Sequence, residues 1–229
     1  MLVGNNISKS YANQLILQHA NFTAKPGDMI VLTGENGSGK TTLLNILANL
    51  KKPTDGTIEL DGQIYHSNEI RQHIAYLSNE LFAQKNITIE TFMQQHALLF
   101  EDIQLEKWDK LLATWKINKQ LKLSELSTGM LMKVKIGSVL ARKVKLYLYD
   151  EPFANIDILA RSEVMKAIIS ETDPDGITII SSHHLEGMEP LYNQLWLIKE
   201  GALKTIDTEN YREETGNSLI DFYKEEMNK

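Results

Sequence analysis

Gly34-Glu35-Asn36-Gly37-Ser38-Gly39-Lys40-Thr41-Thr42 follows the apolar run Ile30-Val31-Leu32 and precedes the helix-patterned stretch Leu43-Leu44-Asn45-Ile46-Leu47. The spacing G-x-x-x-x-G-K-[ST] between a strand and a helix is that of a phosphate-binding loop. Small residues let consecutive backbone N–H groups turn inward around phosphate oxygens, and the helix N-terminus adds its dipole field. In that geometry Lys40 reaches the outer phosphates and the Thr41 hydroxyl is placed to ligate Mg²⁺. Residues Gly34, Glu35, Asn36, Gly37, Ser38, Gly39, Lys40, Thr41 and Thr42 are therefore the candidate nucleotide contacts.

Outward from the loop, an α/β pattern emerges. Short apolar runs at Ile58–Leu60, Ile74–Leu77, Leu146–Tyr149, Ile177–Ser181 and Leu195–Ile198 are bounded by turn residues, with helical patterns between several of them. This predicts central strands buried on both faces. Leu2–Ser8, Leu15–Ala24 and Ile58–Asp61 read instead as an antiparallel sheet beside that core. From about Phe82 to Leu123 strand signals fade, and Phe92, Leu98, Leu99, Trp108, Leu111, Leu112 and Trp115 recur at helical spacing. They predict an inserted helical subdomain with its own small core, or in part a groove for a partner. Ser218 to Met227 predicts a short amphipathic helix docked on its own domain.

Composition bounds the rest. The chain has 229 residues, 42% hydrophobic and 24% charged, so one well-buried core is within reach and disorder is not indicated. No apolar run approaches the roughly 20 residues that span a bilayer, and the N-terminus lacks a basic-then-apolar leader pattern. Zero cysteines exclude disulfides and thiolate metal sites. A net charge of −6 opposes nucleic-acid binding unless a local basic face overrides it. Lys133, Lys135, Arg142, Lys143 and Lys145 are the best candidates for one, and are expected to be a solvated surface.

A second acidic motif gives the loop a chemistry. Leu146-Tyr147-Leu148-Tyr149-Asp150-Glu151 is an apolar strand ending in two carboxylates. Where the chain turns at the strand end, both reach the phosphates: Asp150 to hold the magnesium shell, Glu151 to orient and deprotonate water. The alternative is a solvated acidic turn. Ile177-Thr178-Ile179-Ile180-Ser181-Ser182-His183 likewise delivers a histidine from a strand, with His184 adjacent.

With Leu126-Ser127-Thr128-Gly129-Met130 placed between the loop and Asp150, the sequence resembles the ATP-binding subunits of ABC transporters, whose signature is L-S-G-G-Q. The resemblance implies a P-loop NTPase core of ABC ATPase type, residues 1–81 and 141–229 with the antiparallel β subdomain, and a helical subdomain, residues 82–140, carrying the signature. It implies an ATPase that uses ATP and Mg²⁺ and closes head to tail with a second copy, Ser127, Gly129 and Asp157 meeting ATP held by the opposite subunit. Tyr11 matches the aromatic that stacks on adenine, although alone it reads as a surface tyrosine. Ala154-Asn155-Ile156-Asp157 resembles the loop crossing the dimer interface, and a plain turn fits equally. His183 matches the switch histidine at the terminal phosphate.

The departures are Asn79 at the magnesium-coordinating glutamine position, with Glu80 as a possible substitute, Thr128 for a signature glycine, and Phe153 and Ile156. The implied partner is a separate membrane-spanning permease, holding this chain at the inner face of the cell membrane. The compact size and the segments Leu77-Ser78-Asn79-Glu80-Leu81-Phe82 and Leu126-Ser127-Thr128-Gly129-Met130 look more like the ATPases of type 2 exporters than those of nutrient importers. Two other readings stay open: a soluble ABC-type ATPase acting on ribosomes or DNA, and a non-hydrolysing ATP-dependent regulatory module.

Overall fold

The computed structural model describes residues 1–227 apart from 13, 66–67, 79–84, 184, 186 and 189–191. Strands β1 (Leu2–Tyr11) and β2 (Gln14–Ala24) form an antiparallel hairpin. Strand β3 (Met29–Thr33) runs into the phosphate loop, and helix α1 (Lys40–Leu47) leaves it. β4 (Asp55–Leu60) and β5 (Gln63–Ile64) complete an antiparallel sheet of order β2-β1-β4-β5. A 3-10 turn at Asn68–His73 precedes β6 (Ile74–Leu77).

Helices α2 (Ile89–Leu99), α3 (Leu105–Thr114) and α4 (Thr128–Leu140) follow, the last preceded by a 3-10 turn at Leu123–Glu125. The chain then returns through β7 (Leu146–Asp150), α5 (Ile158–Glu171), β8 (Ile177–Ser181), β9 (Gln194–Lys199) and β10 (Ala202–Asp207). Helices α6 (Thr208–Thr215) and α7 (Leu219–Met227) end it.

The second sheet has order β10-β9-β3-β8-β7-β6, parallel from β9 to β6, with β10 antiparallel at one edge. Because β3, β8 and β7 are parallel neighbours, the segments leaving their carboxyl ends converge above one edge, where ligands bind in open α/β sheets. The strands obey the two-residue period on two buried faces. Leu146 and Leu148 enter a core shared with α1 and the antiparallel sheet, whereas Tyr147 and Tyr149 enter the core shared with α2 to α5. The two sheets are stitched where Gln18 N–H donates to the Gly201 carbonyl at 2.8 Å.

Three expectations change. Phe92, Trp108, Leu111, Leu112 and Trp115 do not form a separate core; they are continuous with Val31, Tyr147, Tyr149 and Ile180 of the main sheet. Gly137 of α4 explains the close fit, since a Cβ there would lie 2.9 Å from the Trp108 ring. Leu98 and Leu99 stand 87% and 74% exposed at the end of α2.

The basic stretch is a solvated surface only in part: Lys143 and Lys145 are exposed, but Arg142 is buried and Lys133 and Lys135 are half-buried. Arg142 is 5% exposed, donates to the Asp102 carboxylate at 3.1 Å, to the Ile74 carbonyl at 2.6 Å and to the Gln72 carbonyl at 2.8 Å, and covers the Phe100 ring at 3.9 Å. Lys133 pairs with Glu163, and Lys135, whose pKa burial lowers, donates to the Ser78 carbonyl at 3.3 Å. The C-terminal helix docks as expected: Leu219 joins the core, while Lys199 and Lys204 hold Glu226.

Candidate active site

The loop conformation needs its glycines. Gly34 has φ 144°, and a Cβ there would sit 2.3 Å from the Ile198 carbonyl oxygen and 2.7 Å from Ser38 Oγ. Gly39, with φ 112°, caps α1 against Ile16 and Leu17. Lys40 is buried, and its ammonium donates to the carbonyls of Gly34 at 2.9 Å and Glu35 at 3.0 Å. Burial lowers its pKa, and the charges of Glu151 and Asp150 partly oppose that. A cleft of about 250 Å³ is lined by Ile16, Asn36, Gly37, Gly39, Lys40, Thr41, Thr42 and Glu151.

The acidic strand end meets this loop as the spacing predicted. Thr41 Oγ1 donates to Asp150 Oδ2 at 2.9 Å, although the two residues lie 109 positions apart. Ser181 Oγ donates to Asp150 Oδ1 at 2.7 Å and accepts from the Glu151 N–H at 2.8 Å. Glu151 adopts φ 49°, the left-handed region that costs a non-glycine residue free energy, and this reversal lets two successive carboxylates serve one cleft. His183 Nδ1 lies 3.0 Å from Glu151 Oε1. Five of the proposed residues, Lys40, Thr41, Asp150, Glu151 and His183, thus form one connected site.

The remaining candidates lie elsewhere. Ser127 is an exposed N-cap of α4 whose Oγ accepts from Met130 N–H at 3.3 Å, and Asp157 caps α5 by accepting from Ala160 N–H at 2.9 Å. That backbone bond holds the Asp157 carboxyl below its usual range. A Cβ on Gly129 would be 3.6 Å from Asp157 Oδ2, so the half-buried Gly129 places the signature beside Asp157, with Ser127 and Asp157 exposed. Neither Ser127, Gly129 nor Asp157 is among the residues lining the phosphate cleft.

Tyr11 does not line it either: it closes the β1–β2 hairpin with Lys9 and Lys51 ammonium groups 5.2 and 4.8 Å from its ring centre. Asn79, Glu80 and His184 lie outside the described residues. Sequence reasoning overlooked Ser181 and Ile16. The polar Ser181 at the carboxyl end of a wholly buried strand, just before His183, was the available signal; Ile16 gave none.

The groups present fit a magnesium nucleotide. Among the described residues Ser38 Oγ is a buried hydroxyl with no hydrogen-bond partner, aimed into the loop that Gly34 shapes. Thr41 Oγ1 and Asp150 Oδ2 are adjacent hard oxygens, the donor type Mg²⁺ takes alongside phosphate and water.

Comparison with known proteins shows the family and the fold. Residues 17–154 match the family model described as "ABC transporter". The chain is 26% identical over 211 residues to the ABC transporter ATP-binding protein YtrB of Bacillus subtilis (strain 168), covering 91% of this chain and 72% of that one. Other relatives carry names for import and for export. A solved ATP-binding subunit of an ABC transporter superposes with a TM-score of 0.87 at 24% identity, over 98% of each chain. A second solved neighbour is an ATP-binding cassette in a dimeric post-hydrolysis state bound to ADP and Pi, with a TM-score of 0.77 at 21% identity over 90% of this chain and 98% of that one.

Proposed function

The chain belongs to the ABC transporter family and is an ATP-binding ATPase subunit of it, and we propose that two copies close head to tail around two ATP molecules to drive a separate membrane-spanning partner. The observation carrying the dimer is the surface on which exposed Ser127 and Asp157 flank half-buried Gly129, set off from the cleft that holds Lys40 and Glu151. Binding groups that serve no site in their own chain are accounted for if they complete the site of another. The dimeric cassette structure with the same fold supports this reading.

In each site the loop from Gly34 to Thr42 cradles the phosphates while Tyr11 stacks on the base. Lys40 exchanges the neutral carbonyls of Gly34 and Glu35 for charged phosphate oxygens, a stronger hydrogen bond. Thr41 and Asp150, joined by Asn79, would hold Mg²⁺, which when bound neutralises phosphate charge. Glu151 accepts the proton of the attacking water, and His183, bonded to Glu151 Oε1, contacts the terminal phosphate. Residues 82–140 act as the arm that transmits closure.

Among the described residues no helix is long and apolar enough to cross a membrane. In this reading the membrane-spanning permease is a separate polypeptide, and the chain works at the inner face of the cell membrane. Export is favoured by the resemblance of the chain's compact size and of the segments Leu77-Ser78-Asn79-Glu80-Leu81-Phe82 and Leu126-Ser127-Thr128-Gly129-Met130 to type 2 exporter ATPases. Reconstitution with the candidate permease in vesicles tests both parts: ATP-dependent transport out of the compartment holding this chain is expected. Stimulation by nucleic acid or ribosomes without a permease would overturn the reading.

A further inference from the structure

Ser181 is completely buried at the end of β8, opposite Asp150 of β7 in the parallel register. A hydroxyl has one proton to give, and this one goes to Asp150 Oδ1 at 2.7 Å. Its lone pairs then remain for the Glu151 N–H, which reaches it at 2.8 Å. The donor direction is settled, because a carboxylate can only accept and an amide N–H can only donate.

One side chain thus touches both halves of the acidic pair. With Oδ1 engaged by Ser181, the other carboxylate oxygen, Oδ2, faces Thr41 Oγ1 at 2.9 Å, so the carboxylate plane is fixed at both ends. The bond to the Glu151 amide satisfies a backbone donor in the left-handed turn at φ 49°, a conformation that persists only when its surroundings over-determine it. That turn sets where the Glu151 carboxylate goes and hence its 3.0 Å contact with His183 Nδ1.

We propose that Ser181 is a positioning residue for hydrolysis, orienting the Asp150 carboxylate towards the metal position and holding the Glu151 turn that aims the base. It rests on the roles assigned above to Asp150 and Glu151. Ser181 touches no phosphate in this account, so its loss should leave the loop's own grip on the nucleotide intact.

The test uses the full chain carrying Ser181→Ala, Ser181→Cys or Ser181→Thr, with Asp150→Asn as control. ATP affinity is titrated with Mg²⁺ and with chelator, and turnover is measured separately. A hydrogen bond to a charged group is worth about 1.5–3 kcal/mol, or roughly 10- to 150-fold. Ser181→Ala should therefore lose about tenfold or more of the magnesium enhancement of ATP affinity and about 10- to 100-fold in kcat, with unchanged affinity in chelator. Ser181→Cys, near in size with a weak donor, should behave as Ser181→Ala and serves if that variant does not fold. Ser181→Thr, which keeps the hydroxyl, should recover most of both.

If Ser181→Ala and Ser181→Cys keep the magnesium enhancement and kcat while Asp150→Asn loses them, the positioning role is wrong and the Asp150 assignment stands. If Asp150→Asn also keeps them, the reading of the acidic pair itself fails. Equal losses with and without Mg²⁺ would mean general damage to the fold, and would likewise overturn the positioning role.

Discussion

Replacing Arg142 with Met should cost more stability than any other single change to the basic stretch. The guanidinium is 5% exposed and serves four acceptors: both Asp102 oxygens at 3.1 Å, the Ile74 carbonyl at 2.6 Å and the Gln72 carbonyl at 2.8 Å. Methionine preserves most of the apolar stem over the Phe100 ring but leaves every acceptor without this donor. Summing four charged hydrogen bonds at about 1.5–3 kcal/mol would overshoot, because bonds from one side chain are not independent. Removing one partner of a buried pair costs about 3–5 kcal/mol, and the lower end applies because Asp102 is 25% exposed and regains water.

At about 2–4 °C per kcal/mol for a domain of this size, a loss of about 3 kcal/mol should make Arg142→Met melt roughly 6–12 °C below the parent. Differential scanning calorimetry reads the shift. Arg142→Lys should recover little, since one ammonium cannot fork to the carboxylate and two carbonyls. Adding Asp102→Leu to Arg142→Met should restore part of the loss by removing the stranded charge. A shift of Arg142→Met within 2 °C of the parent would mean that the guanidinium network contributes little to stability.

Gly34→Ala should weaken ATP binding by about tenfold or more, because its Cβ would meet the rigid Ile198 carbonyl oxygen at 2.3 Å at φ 144° and force the loop open; calorimetric titration measures it. For Lys40, burial lowers the pKa from 10.5, and bound phosphate favours the protonated form. ATP affinity should thus fall as pH rises through the lowered Lys40 pKa, at a pH below 10.5, a decline that Lys40→Arg, charged throughout, should lack. Glu151→Gln should retain ATP and lower turnover by about 10²- to 10⁴-fold in a phosphate-release assay.

The site was legible where chemistry is local and the fold where periodicity is strict. The glycines and Lys40 sit within one turn of chain, and β7 alternates its faces so regularly that its buried course and its acidic end could be read directly. Arg142 was misread because nothing near it in sequence names its acceptors: Asp102, Gln72 and Ile74 are 40 to 70 residues away. Without them a run of Lys and Arg looks like solvated surface.

Leu98 and Leu99 carried helical periodicity, but periodicity marks a face without saying that anything covers it. β10 and α6 escaped notice because Ala202–Asp207 is a half-exposed edge strand and α6 buries no residue completely. The polar character of Ser181 was visible in the sequence, but its partners appear only when β7 and β8 are set side by side. The register Asp150↔Ser181 is a product of tertiary structure, as is the separation of Ser127 and Gly129 from the cleft.

The central claim is that each ATP site is completed by the Ser127–Gly129 surface of a second copy. It is tested most directly by the solution mass of Glu151→Gln, by light or X-ray scattering, with and without Mg²⁺ and ATP. The account predicts a doubling of mass on adding nucleotide, abolished by Ser127→Arg in the same background while each chain still binds ATP. A mass that stays monomeric at saturating ATP, or a doubling indifferent to Ser127→Arg, would contradict it.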